Sequence, residues 1–250
     1  MFWGAATVLG VSNQKPLPFK LDESLEIPKW RASTFWSKEP ETLTWIDRYL
    51  SKETNINILI DVGANIGIYS LYATAVNRNV KVFAIEPIQE TYFELVKNIE
   101  LNSVSEQIEP INAALSFMEG SGQMIGSDGR AGSSGAQLFI GDGSNGSSIS
   151  TMTGDQILNT QVSSRAIVKI DTDGNEFDVL CGFKNSFEKN LVESILVETT
   201  MANESQIDEI LKSNNFTEDV TYLEIEGHSN HRRIKAGNKE RTKIYSQLKS

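Results

Sequence analysis

Ile56-Asn-Ile-Leu-Ile-Asp61-Val62-Gly63-Ala64-Asn65-Ile66-Gly67 is the stretch on which the reading of this chain turns. Ile56–Val62 is a short apolar run rich in β-branched residues, the composition of a buried strand. Ile66–Ala75 reads as a helix, so the segment is a strand that turns sharply into a helix. Gly63 and Gly67 let the backbone turn and approach a ligand closely, where the first N–H groups of a helix point outward. The spacing is not the dinucleotide fingerprint. Its glycines would fall at 63, 65 and 68, which are Gly63, Asn65 and Ile68. No G-K-[ST] follows, which excludes a P-loop. Asp61, just ahead of the turn, suits a ligand with a cationic or ammonium group.

Outward from this turn, strands and helices alternate. Val80–Ile85, Ile108–Ala113, Ala166–Ile170 and Ser194–Val197 read as strands. A helix opens at Glu39-Pro40-Glu41 and runs through Lys52; others cover Gln89–Leu101, Glu176–Asn190 and Glu204–Ser213. Val220–Ile225 reads as extended. Continuous apolar strands separated by helices predict an α/β fold, a parallel sheet covered on both faces. Pro16, Pro18 and Pro28 mark residues 1–38 as an irregular lead-in. The main domain is expected over 39–227, interrupted at 119–149 by a stretch that holds nine of the eighteen glycines. That insertion is expected to form one or two hairpin strands, such as Ala136–Ile140, as a lid over a site or as surface decoration. From 228 to 250 the charge changes sign: Arg232, Arg233, Lys235, Lys239, Arg241, Lys243 and Lys249 face only Glu240. This reads as a solvated basic tail, the alternative being an arm for an anionic partner.

The 250 residues are 39% hydrophobic, enough for a core, and carry a formal charge of −10. Acidic residues outnumber basic ones 33 to 23, which excludes a nucleic-acid-coating surface. Cys181 is the single cysteine, so no internal disulfide or multi-thiolate zinc site forms, and a reduced, cytoplasmic protein is expected. No run approaches the roughly 18 apolar residues that span a bilayer, so no integral membrane segment is expected. Met1–Val11 is apolar but has no basic residues ahead of it, so it is read as packing on the domain or on a partner rather than as a signal peptide, weak membrane association being the alternative.

A second strand adds chemistry. Val82-Phe-Ala-Ile-Glu86-Pro87 ends in an acid one strand–helix–strand unit beyond the first turn, where a carboxylate accepts both hydroxyls of an adenosine ribose. Leu95-x-x-Asn98-Ile-x-Leu-Asn102, Ala113-Ala-Leu-Ser116, Val168-Lys-Ile-Asp171-Thr-Asp173-Gly174-x-Glu176-x-x-Val-Leu180-x-Gly182 and Ile195-Leu-Val-Glu198 follow in order. Together with Asp61–Gly67 and Ala84-Ile-Glu86-Pro87, this series resembles the S-adenosylmethionine-dependent methyltransferases of the FkbM family, over about Asn55 to Phe216. The resemblance implies a Rossmann-like, seven-stranded, mostly parallel sheet, its antiparallel final strand supplied by residues after Phe216. It implies methyl transfer from S-adenosyl-L-methionine, most often to a hydroxyl of a glycan sugar or a small-molecule metabolite. Asp61, Gly63, Asn65 and Gly67 would line the methionine end of the cofactor and Glu86 would hold its ribose.

The same resemblance turns the end of the fourth strand, Lys169-Ile-Asp171, toward the acceptor, with Glu176 opening the next helix. A sulfonium methyl is already a strong electrophile, so alignment of the acceptor oxygen dominates, and a carboxylate must take the hydroxyl proton. Asp171 is the first choice for that base and Glu176 the second. Lys169 joins them as a catalytic candidate, although its side chain is expected on the opposite face of its strand. Asp173 and Glu198 are assigned to the acceptor. The family usually shows Asp-Val-Glu-Gly where this chain has Asp171-Thr172-Asp173-Gly174, one methylene shorter at Asp173. An EF-hand is excluded because its sixth and twelfth positions would be Glu176 and Gly182. No metal is assigned, a divalent ion on Asp171, Asp173 and Glu176 being the lesser option. Cys181 reads as a core residue, and His228 and His231 as exposed tail residues. Two rival functions remain open: a non-catalytic binding module on the same fold, and a metal-dependent nucleotide-sugar transferase.

Overall fold

In a computed structural model, residues 16–22, 24–51, 54–126, 128, 130–140, 146–160, 164–230 and 240–248 are described. The apolar runs pair as parallel strands: β1 (Ile56–Val62), β2 (Lys81–Ile85) and β3 (Ile108–Ile111) on one side, then β8 (Arg165–Ile170) and β9 (Val192–Thr199) on the other. β10 (Phe216–Glu218) and β11 (Arg241–Gln247) complete a seven-stranded sheet of order β10-β11-β9-β8-β1-β2-β3. β11 runs antiparallel to both its neighbours, as expected for the last strand. The chain leaves β1 toward β2 and β3, then returns to β8 on the other flank. The carboxyl ends of β1 and β8 therefore flank the switch point where open α/β sheets bind ligands.

Alternation along the central strands divides the core in two. Ile58, Ile60 and Val62 of β1 join Val168 and Ile170 of β8 on one face. That face is covered by α5 (Gly154–Leu158), α6 (Glu176–Cys181), α7 (Lys184–Glu188) and α8 (Glu204–Ser213). Leu59 and Ile167 point the other way, under α1 (Glu26–Lys38), α2 (Pro40–Leu50), α3 (Ile68–Val76) and α4 (Gln89–Asn102). The expected α/β sheet with helices on both faces is thus the observed architecture.

Four readings change. The lead-in is not irregular throughout, because α1 occupies 26–38. Pro28 sits in its first turn, where a missing N–H costs no helical bond. Phe35 of α1 is buried against Phe19, Trp36 and Tyr72 in edge-to-face contacts. Met1–Val11 and Pro16's preceding residues lie outside the described residues. The insertion forms more than a hairpin: β5 (Gly120–Ile125), β6 (Gln137–Ile140) and β7 (Ser147–Met152) join β4 (Ala114–Leu115) in a second sheet of order β4-β7-β5-β6. Val220–Glu224 is a short 3₁₀ helix instead of an extended segment.

The fourth change is the largest. The basic tail enters the sheet, since Ile244 and Tyr245 are buried in β11 among its charged neighbours. Lys243 is not solvated alone; it pairs with Asp208 at 2.8 Å, Glu204 at 3.0 Å and Glu218 at 3.4 Å. His228, Ser229 and Asn230 are buried as well, with the Asn230 amide bonded to both the N–H and the carbonyl of Thr242. His231, Arg232, Arg233, Lys235, Lys239 and Lys249 lie outside the described residues.

Tyr245 stands at the heart of the second core and donates its hydroxyl to Asp208. Tyr245→Ala is expected to cost about 3–5 kcal/mol, the range for deleting a buried aromatic ring. Urea denaturation measures it, and a loss under about 1 kcal/mol would contradict the placement of β11 inside the sheet.

Candidate active site

The site is assembled where β1 and β8 end. Gly63 has φ +75°, and a Cβ there would lie 2.0 Å from the carbonyl oxygen of Asp171. Only glycine allows the two turns to touch. The backbone N–H groups of Gly63 and Ala64 both donate to the Ile85 carbonyl, at 3.0 and 2.9 Å, which ties the turn to the end of β2. Asn65 takes the left-handed conformation and Gly67 follows at φ +87°, with no room for a Cβ beside Leu95.

Glu86, at the end of β2, is buried and receives this turn. Its Oε2 accepts the Asn65 N–H at 3.0 Å, and its Oε1 accepts the Ile88 N–H at 2.9 Å. Burial pushes its pKa up to about 7 despite those two bonds. The carboxylate forms one wall of a crevice at the carboxyl ends of the strands. Val62, Gly63 and Ile85 make the floor and Ala113–Leu115 an apolar end.

The insertion supplies the roof. Ser133, Ser134, Ala136 and Leu138 face the crevice, joined by Met124 of β5. Fastenings hold this strap along its length. Arg31 of α1 donates twice to the Gly132 carbonyl, Asn65 Nδ2 donates to Ser133, and Asp173 accepts the Gly135 N–H at 2.7 Å. The Asn175 side-chain amide pairs with both the N–H and the carbonyl of Leu138, as a neighbouring strand would. Of the two readings of the insertion, the structure supports the cover over a site.

Beside the crevice lies a charged cluster. Lys169 is buried, with Nζ 3.4 Å from Asp171 and 3.6 Å from Asp61. Its ammonium rests over the Tyr69 ring, 5.3 Å from the centroid. Burial opposes the charge, but Asp171, Asp61, Glu39 and Glu198 together raise its pKa above the ordinary lysine value. Lys169 does not turn to the opposite side as expected from the sequence. Residues two apart on a strand share a face, so it stands with Asp171.

A model of the methyltransferase FkbM domain matches residues 61–225, most of the strands and helices just described. The chain belongs to the FkbM methyltransferase family. It is 29% identical over 143 residues to the hexuronic acid methyltransferase AglP of Haloferax volcanii. That match covers 57% of this chain and spans 55% of the length of AglP. Among solved structures, a precorrin-6y C5,15-methyltransferase from Geobacter metallireducens aligns with TM-score 0.45 at 13% identity, covering 93% of this chain and 94% of that one. A putative rRNA methylase from Clostridium thermocellum aligns with TM-score 0.48 at 9% identity, covering 84% and 96%.

Within this FkbM domain the structure sorts the residues singled out from sequence. Gly63, Glu86, Asp171 and Asp173 line the crevice together. Asp61 does not: it is fully buried one layer behind, with Oδ2 accepting the Ser70 hydroxyl at 2.7 Å. Asn65 and Gly67 shape the turn rather than line the space. Glu176 closes the loop after β8. Its Oε1 accepts from the Thr172 and Gly174 N–H groups and the Thr172 hydroxyl, and its Oε2 from Asn203. Glu198 is half-buried at the end of β9, on the Lys169 side. Among the described residues no group of three or more His, Cys, Asp or Glu side chains is arranged to hold a metal. None of the described helices is long and apolar enough to cross a membrane.

Sequence reasoning missed Glu39 and Tyr69, whose hydroxyl–carboxylate bond stands at the edge of the cluster. Glu39 was visible only as a helix-opening acid, and no local pattern marks Tyr69. The roof residues Met124 and Leu138 were hidden in the Gly/Ser-rich stretch.

Because Glu86 has a higher pKa folded than unfolded, the folded state binds the extra proton. Its contribution to the stability of the ligand-free protein is fully present below about pH 4.5 and is lost as pH rises through about 7. Denaturation midpoints of the wild type and Glu86→Gln, compared between pH 4.5 and 8, check this. The variant is expected to lack the decline, and parallel curves would show that Glu86 is not the buried titrating group.

Proposed function

We propose that this FkbM protein is an S-adenosylmethionine-dependent O-methyltransferase acting on a hydroxyl of a carbohydrate or related small molecule. The observation that carries the reading is the meeting of Glu86 and the Gly63 turn on one crevice with Asp171 on its rim. Each Glu86 oxygen already accepts one N–H, and a carboxylate has further lone pairs for the two hydroxyls of a ribose. The apolar end formed by Ala113–Leu115, Met124 and Leu138 suits a flat base. Gly63, whose turn lines the crevice, is assigned to the amino-acid end of the cofactor.

Bound S-adenosylmethionine would supply the methyl group as an electrophile. The chain's own residues then have two tasks, to align the acceptor and to take its proton. Asp171, at the crevice rim with about a third of its side chain exposed, is the proposed base. It accepts the hydroxyl proton as the oxygen–methyl bond forms and the sulfur–methyl bond breaks. Lys169 holds that carboxylate in place, and Glu198, on the Lys169 side of the cluster, is assigned to orienting the acceptor. With Oε1 taken up by the Thr172–Gly174 turn and Oε2 by the Asn203 amide, Glu176 is assigned to building and anchoring the turn. Asp173 fastens the roof as well as lining the crevice, so the shorter side chain has a partner in Gly135. A sugar acceptor is favoured by the name of the relative, a hexuronic acid methyltransferase.

Calorimetry with S-adenosylhomocysteine tests the cofactor: micromolar-range binding is expected, and no heat at high concentration sinks the reading. Glu86→Ala is expected to weaken that binding by about 1–3 kcal/mol. An unchanged affinity would remove the ribose role. Asp171→Asn is expected to bind the cofactor product normally while turnover falls about 100-fold or more, the usual scale of a lost general base. A labelled methyl donor offered with a panel of hydroxylated sugars and alcohols reads this, and an undiminished rate would take Asp171 out of the role.

A further inference from the structure

The junction between α1 and α2 lies outside the stretch shared with the family, yet it reaches the charged cluster. Glu39, at that junction, is only 5% exposed. Its Oε1 pairs with Lys38 at 2.6 Å, and its Oε2 accepts the Tyr69 hydroxyl at 2.5 Å. Tyr69 lies in the first turns of α3, directly after the glycine turn, and its ring carries the Lys169 ammonium. Lys169 in turn holds Asp171. Three contacts therefore connect a buried acid of the N-terminal helices to the carboxylate on the crevice rim.

Burying a carboxylate is costly, and a helix junction needs none; apolar residues would pack it at lower cost. Lys169 also has a choice of partners. Asp61 and Asp171 are nearly equidistant from it, at 3.6 and 3.4 Å, and Glu39 and Glu198 add their fields. A lysine is a point charge on a flexible stem, so nothing in its own chemistry selects one acid. The Tyr69 ring does, by fixing where the ammonium rests, and Glu39 fixes the ring.

Resting on the methyltransferase reading, we propose that Glu39 is a positioning residue for methyl transfer: through Tyr69 it sets Lys169, and through Lys169 the Asp171 carboxylate at the reacting position. The active site then extends beyond residues 61–225 to the α1–α2 junction.

Two ligands separate the effects without an acceptor. Sinefungin carries an ammonium in place of the transferred methyl and reads the carboxylate facing that position. S-adenosylhomocysteine lacks the group and reads the rest of the site. Titration of the full chain is expected to show sinefungin binding more tightly. In Glu39→Ala and Tyr69→Phe the sinefungin advantage is expected to fall at least threefold, with S-adenosylhomocysteine affinity within twofold of wild type. Tyr69→Phe removes one oxygen and keeps the ring, so it guards against loss of folding in the first variant. Glu39→Gln still accepts the Tyr69 hydroxyl and is expected to restore the advantage. The proposal is overturned if the advantage persists in both loss variants, if both ligands weaken in parallel, or if Glu39→Gln behaves as Glu39→Ala, which would make charge alone the cause. Wild-type protein that binds neither ligand would instead overturn the methyltransferase reading.

Discussion

The contact between the Gly63 turn and the Asp171 carbonyl is the constraint on which the molecule depends. Two parallel neighbours, β1 and β8, end side by side, and the chain must leave them toward opposite flanks of the sheet. Their turns meet because one residue has no side chain. The same approach sets the Asp171 backbone beside the turn that reaches Glu86, so the two carboxylates that line the crevice share one junction. Asp61 and Ser70 brace it from below, and the buried Lys169–Asp61 pair ties the two strands at the next register step.

The insertion then completes what the sheet leaves open. A parallel sheet offers strand ends and backbone N–H groups but little apolar cover at its carboxyl edge. The four-stranded sheet brings Met124 and Leu138 over that edge and is secured by polar side chains from three separate parts of the chain: Arg31, Asn65 and the Asp173–Asn175 loop. The Gly and Ser content fits this role. Small residues let the strap lie close to the loop beneath it, where the Gln137 amide reaches the Asp173 carbonyl at 2.8 Å.

Much of this was legible in the residues because local rules and global packing agree there. β1 and its turn, the acid closing β2, and the helix over 204–213 all follow from composition and periodicity. The failures have physical causes. Pro28 was read as a breaker although a first helical turn accepts it. In β11 a tally of charges concealed Ile244 and Tyr245, and the strand's basic residues turned out to have acidic partners in other elements. Lys169 was sent to the wrong side by neglect of the two-residue period. Glu39 shows locally only as a helix-opening acid and Tyr69 not at all, since their pairing arises only when α2 and α3 pack together. Strand and turn chemistry is written locally, whereas a buried charge network is a property of the closed tertiary structure.

The position of β11 has a consequence for how the protein comes into being. Residues 241–247 do not add to an edge; they fill the slot between β9 and β10. During synthesis, every earlier strand leaves the ribosome while that slot is vacant, with the backbone of β9 exposed along one side. A nascent chain can build the β1–β3 half early, but the flank that carries Glu198 stays open until the last strand arrives. Completion of the sheet and closure of the flank beside Glu198 are one event, and both await residues 241–247.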